Sequence, residues 1–141
     1  MTAEATGLRY LDKAPLVEEF LRFRAEAGWG EISTEVAATA LSAGVVNVTC
    51  RSGETLVGMA RVVGDGALYF YVQDVIVHPD WRGNGIGQQM MARLIARIRA
   101  RAQPGATIGL MAAAGKDRFY EQFGFERRPT DRLGAGMTQV I

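Results

Sequence analysis

The stretch from Val75 to Arg99, VIVHPDWRGNGIGQQMMARLIARIR, changes character in its middle. An apolar segment ends at a proline, three glycines follow at every second position (Gly83, Gly85 and Gly87), and a helical pattern then begins at once. Glycine permits positive φ and lets a ligand or another backbone come close, but ordering it is entropically costly. Because a helix N-terminus offers unpaired N–H groups and a positive dipole end, this turn predicts a phosphate or pyrophosphate site. An ordinary flexible turn is the alternative.

Composition indicates one globular domain covering residues 1–141, with 48% hydrophobic and 22% charged residues and a net charge of +1. The near-neutral balance argues against a nucleic-acid partner. The single cysteine, Cys50, excludes an intrachain disulfide and fits a reducing compartment. No apolar run has the length of a membrane span, and the start MTAEATGLRY lacks the regions of a signal peptide. We therefore expect a cytoplasmic protein with no membrane partner.

Apolar periodicity and turn residues predict the order of the elements. A first strand is expected from Gly7 to Leu11, a helix from Pro15 to near Gly28, and a second helix capped by Ser33 that runs through Ala43. Three strands follow in VVNVTCR, TLVGMARVVG and GALYFYVQDVIV, the last two joined by the hairpin turn Gly64-Asp65-Gly66. After the long helix we expect a buried strand TIGLMAA, a short helix around DRFYEQF, and closing strands from Phe125 and from Gly136 to Ile141.

The long helix after the glycines has two distinct faces. Its apolar face carries Met90, Met91, Leu94, Ile95 and Ile98. An arginine stripe, formed by Arg93, Arg97 and Arg101, repeats every four residues on another side. This stripe is interpreted as a solvated face, with contact to an acidic ligand or partner as the alternative. The fold class that follows is α/β, with a mixed, mostly antiparallel central sheet flanked by helices.

Two familiar glycine motifs fail on spacing. A Walker loop needs a lysine and a serine or threonine after its last glycine, whereas Gly87 is followed by Gln88-Gln89. A dinucleotide-binding motif needs GxGxxG and an acidic residue about twenty positions later; here the glycines run GxGxG, and no acid follows at that distance.

A third pattern fits. The segment Arg82-Gly83-Asn84-Gly85-Ile86-Gly87, after a strand that ends in proline, resembles the acetyl-CoA loop of the GNAT superfamily of N-acetyltransferases. The segment Phe119 to Phe125, FYEQFGF, resembles that family's FYxxxGF motif, on the helix after the next strand. The resemblance covers essentially the whole chain and implies the GNAT fold.

The resemblance implies how acetyl-CoA would be held. The pyrophosphate would lie on the amides of the glycine loop, from Gly83 to Gln88, next to Arg82. The pantetheine arm would pair with the preceding strand at Val75, Ile76 and Val77, where one amide can stabilise the thioester oxyanion. A side chain at Gly85 or Gly87 would occupy ligand space. No metal is implied.

Two residues are candidates for proton transfer. Tyr120 lies where many GNAT members place the acid that protonates the departing thiolate, and the alternative is an aromatic core residue beside Phe119. Asp74 interrupts an apolar strand, so it must be exposed, paired or functional. It would contact the substrate ammonium or accept its proton, or it would be a structural hydrogen-bonding residue. By strand alternation, Gln73 is expected on the opposite face from Asp74.

Other positions separate this chain from the family pattern. Many members carry an asparagine before the tyrosine where this chain has Ala113 and Ala114, and Lys116 is a possible substitute. His78 is interpreted as a turn residue and Cys50 as a core side chain. Trp29, in a predicted loop at the substrate mouth, would stack on an aromatic amine or plug the core.

These features predict an acetyl-CoA-dependent N-acetyltransferase acting on a primary amine by direct transfer in a ternary complex. A looser resemblance to plant and cyanobacterial arylalkylamine (serotonin-like) acetyltransferases favours a small arylalkylamine or a polyamine as acceptor. The alternatives are a protein or peptide N-acetyltransferase and a non-catalytic acyl-CoA-binding regulatory domain. The family's habit also suggests a homodimer.

Overall fold

A computed structural model describes residues 7–141, in which five strands form one sheet in the order β1-β2-β3-β4-β5. The strands are β1 Leu8–Leu11, β2 Val46–Ser52, β3 Thr55–Gly64, β4 Tyr69–Val77 and β5 Thr107–Gly109. The helices are α1 Val17–Glu26, α2 Thr34–Ser42, a 3₁₀ turn Pro79–Trp81, α3 Ile86–Arg101 and α4 Asp117–Glu121. Residues 1–6 of the predicted domain lie outside the described residues. They make up most of the segment MTAEATGLRY, on which the absence of a signal peptide was predicted. None of the helices in residues 7–141 is long and apolar enough to cross a membrane.

The strand pairing confirms the predicted fold class. β1 to β4 pair antiparallel in chain order, and only β4 and β5 pair parallel. Asp65 forms the expected turn between β3 and β4, where its Oδ1 accepts hydrogen bonds from the amides of Ala67, Leu68 and Tyr69. Ser33 caps α2 as predicted, since its hydroxyl accepts from the amide of Val36 at 3.2 Å.

Two apolar layers pack against the sheet. The apolar face of α3 and the side chains of β2, β3 and β4 form the larger layer, which contains Met90, Leu94 and Ile98. A smaller layer joins α1 and α2 to Leu56 and Met59 of β3 and contains Phe20 and Phe23. The sheet is therefore covered by helices on both faces, as the sequence predicted.

The arginine stripe of α3 contacts the chain itself. Arg93 lies 4.9 Å from the centroid of the Tyr10 ring, Arg97 pairs with Asp12, and Arg101 donates to the carbonyl of Val45 at 2.9 Å. The stripe therefore ties α3 to β1 and to the entry of β2. Arg93 and Arg101 are exposed and Arg97 is partly exposed, so the face is solvated as interpreted, and no acidic ligand is needed to explain it.

The predictions for the last third of the chain are partly wrong. β5 covers only Thr107–Gly109 and is partly exposed rather than buried, and no closing strand forms after Phe125 or from Gly136 to Ile141 among the described residues. A strand needs a partner edge as well as a favourable composition. Met137 and Val140 are 89% and 87% exposed, so this segment has no layer to pack on.

Candidate functional site

One edge of β4 is open over most of its length. β4 pairs with β3 from Phe70 to Val77, but it pairs with β5 only from Tyr69 to Tyr71. Beyond Tyr71 the two parallel strands separate, and the β4 edge that carries Val75, Ile76 and Val77 has no strand beside it in residues 7–141. An unpaired edge of this kind accepts an extended ligand as an added strand.

A cleft of about 240 Å³ opens where β4 and the chain after β5 diverge. Its lining comes from the loop after α1, from β4, from the segment after β5 and from α4: Trp29, Val72, Gln73, Asp74, Val75, Leu110, Met111, Ala112, Ala113 and Tyr120. Three side chains that the sequence singled out separately, Trp29, Asp74 and Tyr120, are thereby brought to one cavity. Ile76, Val77 and the glycine loop are outside its lining and continue along β4 towards α3.

The glycine loop places open space at the start of α3. Gly83 and Gly85 have φ values of 84° and 74°, and a Cβ built on either would meet nothing within 4 Å. Gly85 caps the helix, and its carbonyl accepts the first helical hydrogen bond, from the amide of Gln89. The amides of Ile86, Gly87 and Gln88 therefore precede the hydrogen-bonding pattern of the helix. Exposed Arg82 stands beside them, and this set fits a pyrophosphate.

Gly87 is constrained for a different reason from the one expected. A Cβ at Gly87 would lie 3.2 Å from Cζ of Phe119, which belongs to the second motif, so the space beside it is filled by protein rather than left for a ligand. The side-chain Nε2 of Gln88 also donates to Oε1 of Gln122 at 2.7 Å. The two motifs are therefore in direct contact, and the missing side chain of Gly87 permits that contact.

Tyr120 both packs and faces the cleft. Its ring makes edge contacts with Phe119 and Phe125, at centroid distances of 5.0 and 6.2 Å. Burial raises the pKa of its phenol, so the group stays protonated at neutral pH. Its hydroxyl has no hydrogen-bond partner among residues 7–141, which leaves that proton available to a ligand.

Asp74 is buried at a bulge of β4. It has φ of +58°, is 4% exposed, and lies where the β3–β4 register shifts between Met59 and Arg61. Its Oδ2 accepts from Nε of Arg61 at 2.7 Å, and its Oδ1 accepts from the side-chain Nε2 of Gln73 at 3.2 Å. The prediction that Gln73 faces away from Asp74 is wrong, because the bulge breaks the alternation of the strand.

Two arginines that were not among the predicted site residues lie beside Asp74. Arg61 lies beneath it in β3, and Arg24 of α1 lies with its guanidinium 3.9 Å from Oδ1 of Asp74. Arg24 also donates to the carbonyl of Trp29 at 2.9 Å, and its Nε is buried without a hydrogen-bond partner. A charge inside the apolar run TLVGMARVVG was a usable signal for Arg61, since a buried charge needs a partner.

Three further positions that were singled out in the sequence lie outside the lining of the cleft. His78 caps the 3₁₀ turn through Nδ1, which accepts from the amide of Asp80 at 3.1 Å, and Cys50 is fully buried, so both predictions are confirmed. Lys116 is exposed at the start of α4. Its suggested role, to contact CoA in place of the family's asparagine, stays a prediction. Residues 7–141 contain no cluster of side chains suited to hold a metal ion.

Comparison with known proteins gives a consistent family. The sequence model of the family described as "Acetyltransferase (GNAT) domain" matches residues 44–127. The chain is 37% identical over 73 residues to serotonin N-acetyltransferase 2, chloroplastic, of Oryza sativa subsp. japonica, which is 52% of this chain and 36% of the relative. It is 35% identical over 74 residues to histone acetyltransferase TAP1 of Glycine max, which is 52% of this chain and 31% of the relative. The match spans about a third of the length of each of these curated relatives.

The backbone comparison extends over the chain. The crystal structure of a probable acetyltransferase from meticillin-resistant Staphylococcus aureus superposes with a TM-score of 0.84 at 27% sequence identity. The superposition covers 95% of this chain and 99% of that one. The agreement includes the region after residue 127, beyond the match of the family model.

Proposed function

Because the chain belongs to the GNAT family of acetyltransferases, we propose that it transfers the acetyl group of acetyl-CoA to a small primary amine, directly and within a ternary complex. The observation that carries this proposal is the cleft in which Trp29, Asp74 and Tyr120 meet beside the open edge of β4. A single domain, a cytoplasmic location and a homodimer belong to the proposal as well. No nucleic acid or membrane is needed.

The chain offers acetyl-CoA two adjoining surfaces. The amides from Gly83 to Gln88, with Arg82 beside them, would hold the pyrophosphate, and the backbone of Val75, Ile76 and Val77 would pair with the pantetheine arm. Asn84 helps to shape the loop, since its side-chain Nδ2 donates to the carbonyl of Trp81 at 2.9 Å. When bound, acetyl-CoA supplies a thioester: the amine attacks its carbonyl carbon, the C–N bond forms, and the C–S bond breaks.

Tyr120 would give its proton to the departing sulfur. The hydroxyl has no competing acceptor in residues 7–141, and its raised pKa keeps the proton in place until a thiolate develops. A phenol with a pKa above 10 transfers a proton to a thiolate of ordinary basicity slightly uphill, by about 2 kcal/mol or more. That step is small beside the barrier of the acetyl transfer.

The role of Asp74 is the less direct part of the proposal. It is the only carboxylate among the described residues that line the cleft, which supports proton acceptance from the amine, directly or through water. Its oxygens, however, already accept from Arg61 and Gln73, and Arg24 lies close by. These contacts favour a positioning role, in which Asp74 holds two guanidinium groups and the bulge of β4.

The size of the cleft favours a small acceptor. Its volume of about 240 Å³ is below the range of about 300–1,000 Å³ usual for sites that bind drug-sized ligands. Trp29 is 40% exposed and offers one face to an acceptor. A protein or peptide amine would have to enter as a single side chain. A non-catalytic acyl-CoA-binding domain would need neither the free Tyr120 hydroxyl nor the cleft.

The test is release of CoA thiol from acetyl-CoA with a panel of amines: arylalkylamines, polyamines, amino acids and lysine-containing peptides. We expect turnover with one small-amine class and a product heavier by one acetyl group in mass spectrometry. Turnover with peptides alone would replace the small-molecule acceptor by a protein. Tight acetyl-CoA binding without turnover on any amine would favour the regulatory alternative.

Asp74→Asn separates the roles of Asp74. As a positioning residue, its change leaves two guanidinium groups short of a partner and lowers the free energy of unfolding by about 3–5 kcal/mol. The pH dependence of kcat/KM, measured on the folded variant well below its melting temperature, should then stay unchanged. A flattened pH profile would instead identify Asp74 as the proton acceptor.

A further inference from the structure

Two guanidinium groups lie directly behind the lining of the cleft, where they contact residues that line it. Arg24 and Arg61 both lie against the single carboxylate of Asp74, at 3.9 and 2.7 Å. Among residues 7–141, no second carboxylate contacts either guanidinium group. We propose that the acceptor amine carries a carboxylate and that Arg24 binds it, which makes the substrate an amino-acid-like molecule. This inference rests on the proposed function and narrows its acceptor class.

The two arginines differ in how fully their donors are used. Arg61 is 7% exposed, and it donates through Nε to Asp74 and through a terminal nitrogen to the carbonyl of Ala40 at 3.0 Å. It is therefore committed to the fold. Within residues 7–141, Arg24 donates only to the carbonyl of Trp29, stands beyond hydrogen-bond distance from Asp74, and keeps a buried Nε without a partner. Arg24 is therefore the arginine that has unused hydrogen-bond donors.

The Arg24 side chain is also positioned by two aromatic rings, a contact that does not use its hydrogen-bond donors. Its guanidinium lies 5.9 Å from the ring centroid of Phe20 and 6.0 Å from that of Trp29. The side chain is 19% exposed, so a ligand can reach it while most of it stays desolvated. A planar guanidinium fixed between aromatic rings matches the two oxygens of a carboxylate, and charge-assisted hydrogen bonds are the strong ones.

The same charges argue against a polyamine. A ligand with several ammonium groups would meet two guanidinium groups and one carboxylate that is already paired. An amino-acid-like acceptor places its carboxylate on Arg24 and its amine towards Tyr120 and β4. Trp29 contacts Arg24 and lines the cleft, so it would cover the aliphatic part between the two groups.

The test compares acceptors that differ only in charge: 4-aminobutyrate with 4-aminobutanamide, and phenylalanine with phenylalaninamide. For each pair the ratio of kcat/KM, acid over amide, is measured in the wild type, Arg24→Gln and Arg24→Lys. Comparing the ratio between proteins cancels the intrinsic reactivity of the amines. Arg22→Gln, which removes an exposed arginine of the same helix, is the matched control.

We expect Arg24→Gln to lower this ratio at least about tenfold through KM, Arg24→Lys to restore part of it, and Arg22→Gln to leave it unchanged. Acetyl-CoA affinity should be the same in all four proteins. An unchanged ratio in Arg24→Gln would overturn the inference.

A second readout needs no turnover. Binding of the products 4-acetamidobutyrate and 4-acetamidobutanamide, in the presence of CoA, is measured by calorimetry. Tighter binding of the acid, lost in Arg24→Gln, supports the carboxylate site even if no amine is acetylated, a result that would count against the proposed function alone. Equal binding of acid and amide by the wild type would overturn the inference and leave the acetyltransferase proposal standing.

Discussion

Two regions of this chain are built differently. The N-terminal body, residues 8–101, contains β1 to β4 and α1 to α3, and all the fully buried apolar side chains of the described residues lie in it, from Phe20 to Ile98. The C-terminal wall, residues 107–141, contains β5 and α4 and contributes only partly buried side chains to the core. Yet the wall supplies half of the cleft, including Tyr120.

This difference in burial assigns the two regions different roles, the body in stability and the wall in catalysis. Burial of apolar area is the main favourable term in folding, so the free energy of unfolding is expected to come mainly from the body. Segments with few buried contacts occupy the low-stability end of a structure, where binding surfaces are commonly found. Changes in the buried layers of the body should therefore act on folding, and changes in the wall should act on turnover, whereas the cleft residues of the body, such as Trp29 and Asp74, belong to the site.

The largest expected effect is in the wall. Tyr120→Phe should lower kcat by about 10²- to 10⁴-fold, because the departing sulfur loses its proton donor, while acetyl-CoA affinity and thermal midpoint stay close to wild type. Tyr69→Phe, at a tyrosine that is 65% exposed, is the control. A normal kcat in Tyr120→Phe would return this residue to a packing role.

A matched leucine pair measures the contrast in stability. Leu94 of α3 is fully buried, whereas Leu133 in the wall is 47% exposed. Leu94→Ala should lower the free energy of unfolding by about 2–5 kcal/mol in chemical denaturation, through lost burial and a cavity. Leu133→Ala should change it by less than about 0.5 kcal/mol. Similar losses of unfolding free energy in the two variants would contradict the assignment of stability mainly to the body.

Within the body, one buried ion pair should respond to pH. Arg51 donates twice to Glu19 at 2.7 Å, and these hydrogen bonds hold the pKa of Glu19 below its usual value. Their contribution is therefore complete above the unfolded pKa of about 4.3 and is lost as the pH falls through the lowered folded pKa.

Glu19→Gln should then cost about 1.5–3 kcal/mol at pH 7, and the deficit should shrink in acid. Denaturation of wild type and variant from pH 7 to pH 2.5 checks this. Glu18→Gln, an exposed neighbour in the same turn, should show no such pH dependence. A deficit that stays constant down to pH 2.5 would exclude the ion pair as its source.

The smallest expected effect lies in the glycine loop, a part of the body that binds ligand rather than forming the core. Gly85→Ala places a Cβ in the open space of the loop and should weaken acetyl-CoA binding at least tenfold, or about 1.4 kcal/mol. Gly105→Ala is the matched control, because Gly105 has a similar positive φ and equally open surroundings away from the loop. The two variants should share the backbone strain, so calorimetry that finds equal affinities would remove the phosphate assignment. Gly87 is a poorer probe of ligand binding, because a Cβ at this position would crowd the ring of Phe119.

How far the sequence predicted the structure depended on the range of the interactions. The glycine turn, α3 and the β3–β4 hairpin follow from local periodicity and turn chemistry, and all three were predicted. The surroundings of Asp74 were not, because they depend on a bulge and on arginines from two other elements, α1 and β3. The closing strands failed for a related reason: residues 136–141 have suitable composition, but strand formation needs an edge that only the folded chain could supply.

The three residue pairs that join β4 to β5 also set an order of events in folding. The strands β2, β3 and β4 meet through short turns, whereas β1 reaches β2 only across two helices, and β5 reaches β4 only after the chain has crossed the sheet through α3. Parallel pairing requires such a crossover, and contacts between distant segments form slowly. The cleft lies directly beyond this short ladder. During synthesis and refolding, we therefore expect the three strands β2, β3 and β4 to pair first and the capacity to bind substrates to follow them.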